Sequence, residues 1–370
     1  MAKIAYLFPT PLSQINSGFR VRGAQLRDGL IALGHNVRLH PLEGAGTHDV
    51  GSSHASSRWI RPIRFTGSAQ YTALTRWLAH ERPDVVIATH PNYTDLVPWS
   101  VRHRVPIIVD THNVESSIQM SRAHRRSAMS HMSVVAAELL YMRRADRVWA
   151  LSPTDTQQYA RWMGRERVSY VPFVYPLPSG PQPTLEDRAA CNTEVVFVGA
   201  FGYAPNVRAA VFLASHMLPQ LRKTLPDVTL LLVGRDPPPE VRRLHGHGIV
   251  VTGEVDSVDE YYRRAAVVAA PIDVGGGVKT KMLEAMAHGS AIVATPAAMA
   301  GTAARGGVHY VAAPFDGRSF AGAVSRLLGD DRLRTQLGQS ARALIESEHG
   351  PGRLRSALER EVTLVLGSRS

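Results

Sequence analysis

The chain has 370 residues, of which 44% are hydrophobic and 20% charged, a balance that predicts a soluble globular protein of two domains and excludes a disordered or fibrous one. Its formal net charge of +11 favours an anionic partner such as a nucleotide, a phosphate or an acidic membrane surface. The single cysteine, Cys191, excludes an internal disulfide, and no apolar run is long enough for a signal peptide or a bilayer span, so we expect a cytoplasmic protein.

Short apolar runs alternate with helical patterns in the first half of the chain. A helical pattern covers 20–33, and the apolar runs lie at 3–8, 36–40, 85–89, 106–110 and 147–151. This alternation predicts a parallel sheet with crossover helices. We assign 1–172 to an N-terminal Rossmann-like domain.

A proline-rich segment without periodicity then predicts a linker over 173–192. The alternation restarts with apolar runs at 194–199, 229–234, 248–253, 266–271 and 291–295. We therefore expect a second Rossmann-like domain over 193–349, followed by a C-terminal helix and tail over 350–370 that could pack on either domain. The predicted fold class is α/β, with two parallel sheets facing each other across a cleft.

A glycine-rich turn runs into a predicted helix in the segment GGGVKTKMLEAMAHGSAIVAT, residues 275–295. The helix is expected to begin near Thr280 and to end around Gly289. Glycines let the backbone approach a ligand, and the N–H groups and dipole of the first helical turn attract an anion. The turn therefore predicts an anion site.

Two of the four lysines in the chain, Lys279 and Lys281, lie in this segment, whereas arginines number 38. Both ammonium groups can reach one anion only if Lys279 still belongs to the turn, because residues two apart do not share a helix face. Chance clustering under an arginine bias is the alternative. Glu284 could accept hydrogen bonds from a ribose diol, or it could merely pair with Lys281 on an exposed face.

Several common motifs are missing from the sequence. The order Gly277, Val278, Lys279, Thr280 breaks a P-loop, and no GxGxxG follows the first strand. We find no Asp-x-Asp motif and no His/Cys cluster with ligand spacing, so no metal or other cofactor is predicted. The sequence offers no pair of carboxylates that could act as nucleophile and acid in a glycosidase. Its aromatic residues are not interleaved with basic ones, as they would be in a nucleic-acid binder.

A basic cluster flanks the helical segment at 129–142. It consists of Arg122, Arg125, Arg126, Arg143 and Arg144. The arrangement could lie on an anionic membrane, which would place the protein peripherally at the inner face, or it could be a solvated helix face.

Further segments share a family pattern over most of the chain. They are Gly18 in the first strand-helix loop, GHNV at 34–37, PIIVDTHNVE at 106–115, RRADRVWALSPTD at 143–155, FVGAFGYAPN at 197–206, LLLVG at 230–234, VTGEV at 251–255 and KMLEAMAHGSAIVAT at 281–295. Together they resemble the retaining glycosyltransferases of family 4, which have the GT-B fold. The resemblance implies an enzyme that moves a sugar from a UDP- or GDP-sugar donor to an acceptor hydroxyl without a metal.

The same resemblance implies the donor site. It places Glu284 on the donor ribose, and it places Gly199, Gly202 and Asn206 beside the donor. The backbone amides that it aims at the sugar and diphosphate are those of Gly276, Gly277, Val278 and Lys279.

The sequence departs from the family pattern at two places in this donor site. Gly276 stands where many members have a second glutamate. Ala200 and Asn206 stand where many have an arginine and a lysine that grip the diphosphate. We expect Lys279 and Lys281, helped by Arg208, to supply this charge, which makes Lys281 a predicted catalytic residue together with Glu284.

The resemblance makes the N-terminal domain, 1–172, the one that binds the acceptor. It places His112, after the strand PIIVD, against the transferred sugar as a catalytic residue; an ordinary loop histidine is the alternative. The predicted acceptor-binding residues are Gly18, Arg20, Arg22, His90 and Asn113, and for the two arginines a solvated helix face is the alternative. A lipid-linked glycan, a polysaccharide and a small natural product remain open as acceptors.

Two other functions fit the same architecture. One is an enzyme like the non-hydrolysing sugar-nucleotide epimerases, which would convert the donor without an acceptor. The other is a pseudo-transferase that binds nucleotide sugar but has lost transfer, suggested by the missing phosphate-gripping pair.

Overall fold

The computed structural model describes residues 1–8, 18–41, 69–112, 114, 128–178, 193–274 and 277–367. These residues divide into two compact units. The N-terminal unit runs to Val174 and takes up the chain again from Pro351, whereas the C-terminal unit runs from Tyr175 to Gly350.

The N-terminal unit contains a parallel six-stranded sheet in the order β2-β1-β3-β4-β5-β6. The strands are β1 Lys3–Phe8, β2 Asn36–Pro41, β3 Val85–Ala88, β4 Ile107–Asp110, β5 Arg147–Ala150 and β6 Val168–Tyr170. Strands β3 and β4 are buried throughout, as expected where helices cover both faces of a parallel sheet. The order reverses between β1 and β3, and ligands bind at such a switch point.

Helices of the N-terminal unit follow the strands as crossovers. They are α1 Gly18–Ala32, α2 Ala69–Glu81, α3 Trp99–Arg102, α4 Ala128–Met142 and α5 Pro153–Met163, with 3₁₀ turns at Pro91–Asp95 and Arg165–Arg167. The C-terminal helix Pro351–Gly367 also belongs to this unit.

The C-terminal helix is fixed to the N-terminal sheet by a buried carboxylate. Glu361 accepts hydrogen bonds from the indole of Trp149 over 3.0 Å and from Nη2 of Arg147 over 2.9 Å. The helix also packs closely on α1, because a Cβ added to Gly29 would lie 2.8 Å from Cδ1 of Leu358. Of the two domains on which this helix could pack, it therefore packs on the N-terminal one.

The C-terminal unit repeats the architecture, with parallel strands in the order β12-β11-β10-β7-β8-β9. The strands are β7 Glu194–Val198, β8 Thr229–Val233, β9 Ile249–Gly253, β10 Val267–Ala270, β11 Ile292–Ala294 and β12 Val311–Ala312. The helices are α6 Ala204–Phe212, continued by a π turn Leu213–Met217 into α7 Leu218–Leu221, then α8 Pro239–Arg242, α9 Asp259–Arg264, α10 Thr280–Ala287, α11 Pro296–Met299, α12 Gly317–Leu328 and α13 Asp331–Glu348. The switch point lies between β7 and β10.

The basic cluster is only partly within the described residues, since Arg122, Arg125 and Arg126 fall outside them. Arg143 is exposed at the end of α4, and Arg144 bonds to the carboxylate of Asp95. Within the described ranges, no helix combines the length and apolarity that a membrane span requires.

Candidate active site

Glycines bring two loops together at the switch point of the C-terminal sheet. Gly199 follows β7 and Gly234 follows β8, with φ of +149° at Gly234. A Cβ added to Gly234 would lie 2.1 Å from the carbonyl oxygen of Gly199. A residue with a side chain does not fit here, so glycine allows the backbone segments after β7 and β8 to lie in close contact.

The side chain of Lys281 reaches this loop from α10. Its Nζ donates a hydrogen bond to Oδ1 of Asn206 over 2.5 Å and lies 4.5 Å from the ring centroid of Phe197. Asn206 is itself fixed, because its Nδ2 donates to the carbonyl of Ala200 over 2.7 Å. The structure thus brings together Lys281 and Asn206, two of the residues predicted to bind the sugar donor. The side chain of Asn206, in α6, holds the ammonium of Lys281, which comes from α10.

Gly199 leaves room for this ammonium. A Cβ on Gly199 would lie 2.9 Å from Cγ of Asn206 and 3.1 Å from Nζ of Lys281. Burial lowers the pKa of Lys281 to about 7, while Glu284 raises it and Lys279 lowers it. A bound anion favours the charged form of the amine, so the amine is able to respond to a ligand near neutral pH.

Glu284 lies one turn further along α10 and has a different partner. The hydroxyl of Tyr262 donates to its Oε2 over 3.1 Å and lies 3.2 Å from the carbonyl of Lys281. Burial raises the pKa of Glu284, whereas Tyr262 and Lys281 lower it. The ammonium of Lys281 turns to Asn206 instead of Glu284, so the exposed lysine-glutamate pair considered from the sequence is not formed.

The turn before α10 is held by another glycine. Gly277 has φ of +65°, and Gly301, with φ of +87°, packs so closely that an added Cβ would lie 2.7 Å from the carbonyl carbon of Gly277. Lys279 caps the helix in an extended conformation without a side-chain cap bond, and its Nζ donates to the carbonyl of Gly277 over 3.2 Å. Lys279 therefore belongs to the turn, while the partly buried Val278 lies beside it and Gly276 falls outside the described residues.

Arg208 and Gly202 take less central places. The guanidinium of Arg208 makes two hydrogen bonds of 2.9 Å to the carboxylate of Asp273, just after β10. Gly202 is exposed, and a Cβ there would meet no atom within 4 Å. The charge of Arg208 is thus already matched by a carboxylate.

The two predicted histidines lie together at the switch point of the N-terminal sheet. His90 follows β3 and His112 follows β4, and their ring centroids are 5.3 Å apart. The ring of Phe19, next to Gly18 in the first turn of α1, lies 4.4 Å from His112 and 5.5 Å from His90. Burial lowers the pKa of both histidines to about 3, so both rings are neutral at pH 7.

A buried ion pair lies beneath His112. Arg22 is fully buried, and its Nη2 donates to Oδ1 of Asp110 over 2.9 Å and to the carbonyl of Val171 over 3.0 Å. Its Nη1 donates to the carbonyl of Pro172 over 2.5 Å. Oδ2 of Asp110 lies 3.8 Å from Nε2 of His112. Arg22 therefore fixes Asp110 inside the unit, and the solvated helix face considered for it is wrong.

The other acceptor-side predictions are placed only in part. Gly18 and Arg20 are half-buried in the first turn of α1, whereas Asn113 lies outside the described residues. In the part of the chain that the structure covers, no group of three or more His, Cys, Asp or Glu side chains is arranged to hold a metal ion.

Three residues of these clusters were missed from the sequence. Asp110 closes a strand two positions before His112, which is a usable signal. Phe19 directly follows the predicted Gly18. Tyr262 gives no such signal. The segment DEYYRR has the pattern of an ordinary helix, and Tyr262 lies 22 positions before Glu284, which it contacts.

Comparisons with known proteins match both halves of the chain. A family model of a glycosyl transferase 4-like domain matches residues 17–173, and one of glycosyl transferases group 1 matches residues 192–330. A phosphatidyl-myo-inositol mannosyltransferase of Mycolicibacterium smegmatis is 34% identical over 168 residues, which cover 44% of this chain and 42% of that protein. The match thus spans less than half of that relative's length.

Solved structures share the fold at low identity. Sucrose-phosphate synthase from Thermosynechococcus elongatus has a TM-score of 0.72 and 16% identity, with all of both chains covered. The Anabaena protein HepE, solved in complex with UDP and glucose, has a TM-score of 0.66 and 15% identity, covering 98% of this chain and all of that one. These neighbours and the two parallel sheets confirm the predicted α/β class with two Rossmann-like halves.

Proposed function

Because the chain belongs to the group 1 glycosyltransferases, we propose that it transfers a sugar from a nucleotide-diphosphate donor to a hydroxyl of an acceptor. The proposal includes retention of configuration at the anomeric carbon and independence of a metal ion. The donor is a UDP- or GDP-sugar. The structures of HepE contain UDP, with or without glucose, or UDP-glucose. At 15% identity or less, they support a nucleotide-sugar donor but not the choice between UDP and GDP.

One observation carries this proposal. Lys281 and Glu284 lie three residues apart on one face of α10. This helix begins directly after a glycine turn, at the switch point of a parallel sheet. A pyrophosphate fits beside the ammonium and the helix N-terminus, and the ribose of the same nucleotide fits beside the carboxylate.

The chemistry requires charge stabilisation on the leaving group. As the glycosidic bond to phosphate breaks, negative charge grows on the departing diphosphate and positive charge on the anomeric carbon. A fixed cation such as Lys281 stabilises that transition state, and one well-placed donor contributes about 3 kcal/mol. In a front-face attack the leaving phosphate accepts the proton of the acceptor hydroxyl. At this place, a cation of the protein supplies the positive charge that a metal ion would otherwise supply.

The neutral His112 is proposed to contact the transferred sugar, and the cluster around it to receive the acceptor. A neutral imidazole can donate or accept a hydrogen bond without adding charge to a site that holds a developing cation. His90 and Phe19 give this cluster apolar ring surfaces, on which a sugar face can pack.

Binding and turnover of donors test the proposal. The protein is heated with UDP, GDP and a panel of their sugar conjugates, and we expect one nucleotide to raise the melting temperature, since ligand at 100 times its Kd adds about 2.7 kcal/mol to stability. Slow release of free sugar from the stabilising donor, undiminished by EDTA, is the expected activity. Donor binding without sugar release across acceptors would favour the pseudo-transferase, and conversion of the donor sugar without an acceptor would favour the epimerase-like enzyme.

A further inference from the structure

A buried hydroxyl beside the proposed ribose site has no part in the chemistry described so far. Tyr262, in α9, is fully buried, and its hydroxyl lies at the surface of α10, 3.1 Å from Oε2 of Glu284. Burial raises the pKa of this phenol well above its usual range, and Glu284 raises it further, so the group remains a protonated donor. A phenol in the protein interior is costly unless its hydroxyl is bonded. Here the hydroxyl lies within hydrogen-bond distance of two acceptors on α10, Oε2 of Glu284 at 3.1 Å and the carbonyl oxygen of Lys281 at 3.2 Å, and the carboxylate is the charged one.

The ring of Tyr262 is held from several sides. It stacks on the ring of His288 at a centroid distance of 5.4 Å and an interplanar angle of 24°. Nε2 of His288 lies 3.0 Å from Oδ1 of Asp259, and the carbonyl of Tyr262 accepts a hydrogen bond from the hydroxyl of Ser290 over 3.1 Å. The hydroxyl therefore has a fixed position, to which the more flexible carboxylate must adjust.

A glutamate side chain has three rotatable bonds, so an isolated carboxylate samples many orientations. Two vicinal hydroxyls can bind one carboxylate well only if its plane is already set, because ordering it on binding costs affinity. A hydrogen bond from Tyr262 to Oε2 occupies one acceptor position and sets that plane. Among the residues that the structure describes, no other side chain donates to the Glu284 carboxylate, so its remaining acceptor positions can take a diol.

We propose that Tyr262 is a positioning residue, which orients the carboxylate of Glu284 toward the two ribose hydroxyls of the nucleotide donor. The proposal rests on the proposed function, in which Glu284 binds the donor ribose. It predicts that loss of the phenolic hydroxyl weakens recognition of the diol and leaves recognition of the rest of the nucleotide intact.

The test compares Tyr262→Phe with wild type for binding of UDP and GDP and of their 2′,3′-dideoxy forms, by titration calorimetry on the full chain. The matched control is Tyr261→Phe, which removes the same hydroxyl from the neighbouring, partly exposed residue of the same helix. We expect Tyr262→Phe to weaken binding of the preferred ribonucleotide about tenfold, as for a hydrogen bond to a charged group. Binding of its dideoxy form should be unchanged, and Tyr261→Phe should alter neither.

Glu284→Gln separates this proposal from the proposed function. If Tyr262 acts through Glu284, the double variant Tyr262→Phe, Glu284→Gln should bind the ribonucleotide no more weakly than Glu284→Gln alone. Equal weakening of ribose and dideoxy forms by Tyr262→Phe would mean a general structural role and would overturn the proposal, as would no weakening of either. If wild type binds both forms equally and Glu284→Gln has no effect, the ribose role of Glu284 is itself wrong.

Discussion

The ammonium of Lys281 donates a hydrogen bond of 2.5 Å to the side-chain oxygen of Asn206, 75 positions earlier in the chain. Asn206 stands where the resemblance to family 4 places a phosphate-gripping lysine, and it receives an ammonium from α10. A cation is thus present beside the end of β7 although the local sequence lacks one. The first prediction follows from this arrangement.

Replacement of Lys281 by alanine should lower kcat/KM for the donor about 100-fold, since one lost transition-state donor costs about 3 kcal/mol. Steady-state kinetics with the stabilising nucleotide sugar measure the effect. Lys223→Ala is the matched control, because Lys223 is exposed and its Nζ donates a hydrogen bond to Oε1 of Gln220 on the same surface. Unchanged kinetics in the Lys281 variant would contradict the assigned role.

The lowered pKa of Lys281, about 7, predicts that nucleotide binding takes up a proton. Near pH 8 the free amine is mostly neutral, and a bound diphosphate favours its charged form. Calorimetry in two buffers of different ionisation enthalpy should therefore show net proton uptake in wild type and less in Lys281→Met. Equal uptake in both proteins would assign the proton to another group.

The same pKa predicts how stability depends on pH. Because burial holds the pKa of Lys281 below the usual lysine range, above pH 7 the folded protein releases a proton that the unfolded chain retains. The unfolded state then binds more protons, so this residue makes the free energy of unfolding rise with pH from about 7 toward the usual lysine pKa. Denaturant unfolding at several pH values should show a smaller rise in Lys281→Met than in wild type.

Gly301→Ala should disturb the glycine turn before α10, although residue 301 is not part of that turn. The new Cβ would lie 2.7 Å from the backbone of Gly277, and φ of +87° is unfavourable for alanine. We expect at least tenfold weaker nucleotide binding, measured by calorimetry. Gly322→Ala, in the middle of α12 with open space around the added Cβ, is the control and should raise stability by up to about 1 kcal/mol. Binding as tight as wild type in Gly301→Ala would show that the turn tolerates the shift.

Replacement of Arg22 by methionine should destabilise the N-terminal unit by about 3–5 kcal/mol, because it leaves the buried carboxylate of Asp110 uncompensated. Denaturant unfolding measures this change. The double variant Arg22→Met, Asp110→Leu should be more stable than the single one, since no charge is then left buried. Arg27→Met, which breaks an exposed pair with Asp28, should cost less than about 1 kcal/mol.

The sequence predicted the sheets well because their strands are runs of β-branched and apolar residues bounded by turn residues. β1 was predicted at its exact bounds, and the other long strands to within a residue or two. β6 and β12, three and two residues long, were missed, whereas β11, also three residues long, was found because the apolar run AIVAT extends beyond it on both sides. The helix from Thr280 was located because glycines precede it and apolar residues follow with helical spacing.

The sequence located candidate site residues by local signals, such as a motif or a strand end, and did not predict which of them touch. The turn at 277–279 and Glu284 form one continuous segment, and a strand end marks each of the two histidines. The contact of Lys281 with Asn206 and that of Tyr262 with Glu284 join different helices, and a single sequence carries no record of such pairs. Arg22 shows the same limit, because the sequence offered an acceptor-binding residue or a solvated helix face, whereas tertiary packing buries the side chain completely.

The packing of the C-terminal helix has a consequence for how the chain acquires its structure during synthesis. Leu354, Leu358 and Val362 fill the same core as Leu26 and Trp149, so this core is built from segments that lie before and after the C-terminal unit in the chain. Its core must wait for the whole C-terminal unit to emerge, although N-terminal domains ordinarily fold first. A nascent chain therefore leaves Leu26 and its apolar neighbours without part of their packing until the C-terminal helix emerges, and the C-terminal unit is the first that can be completed.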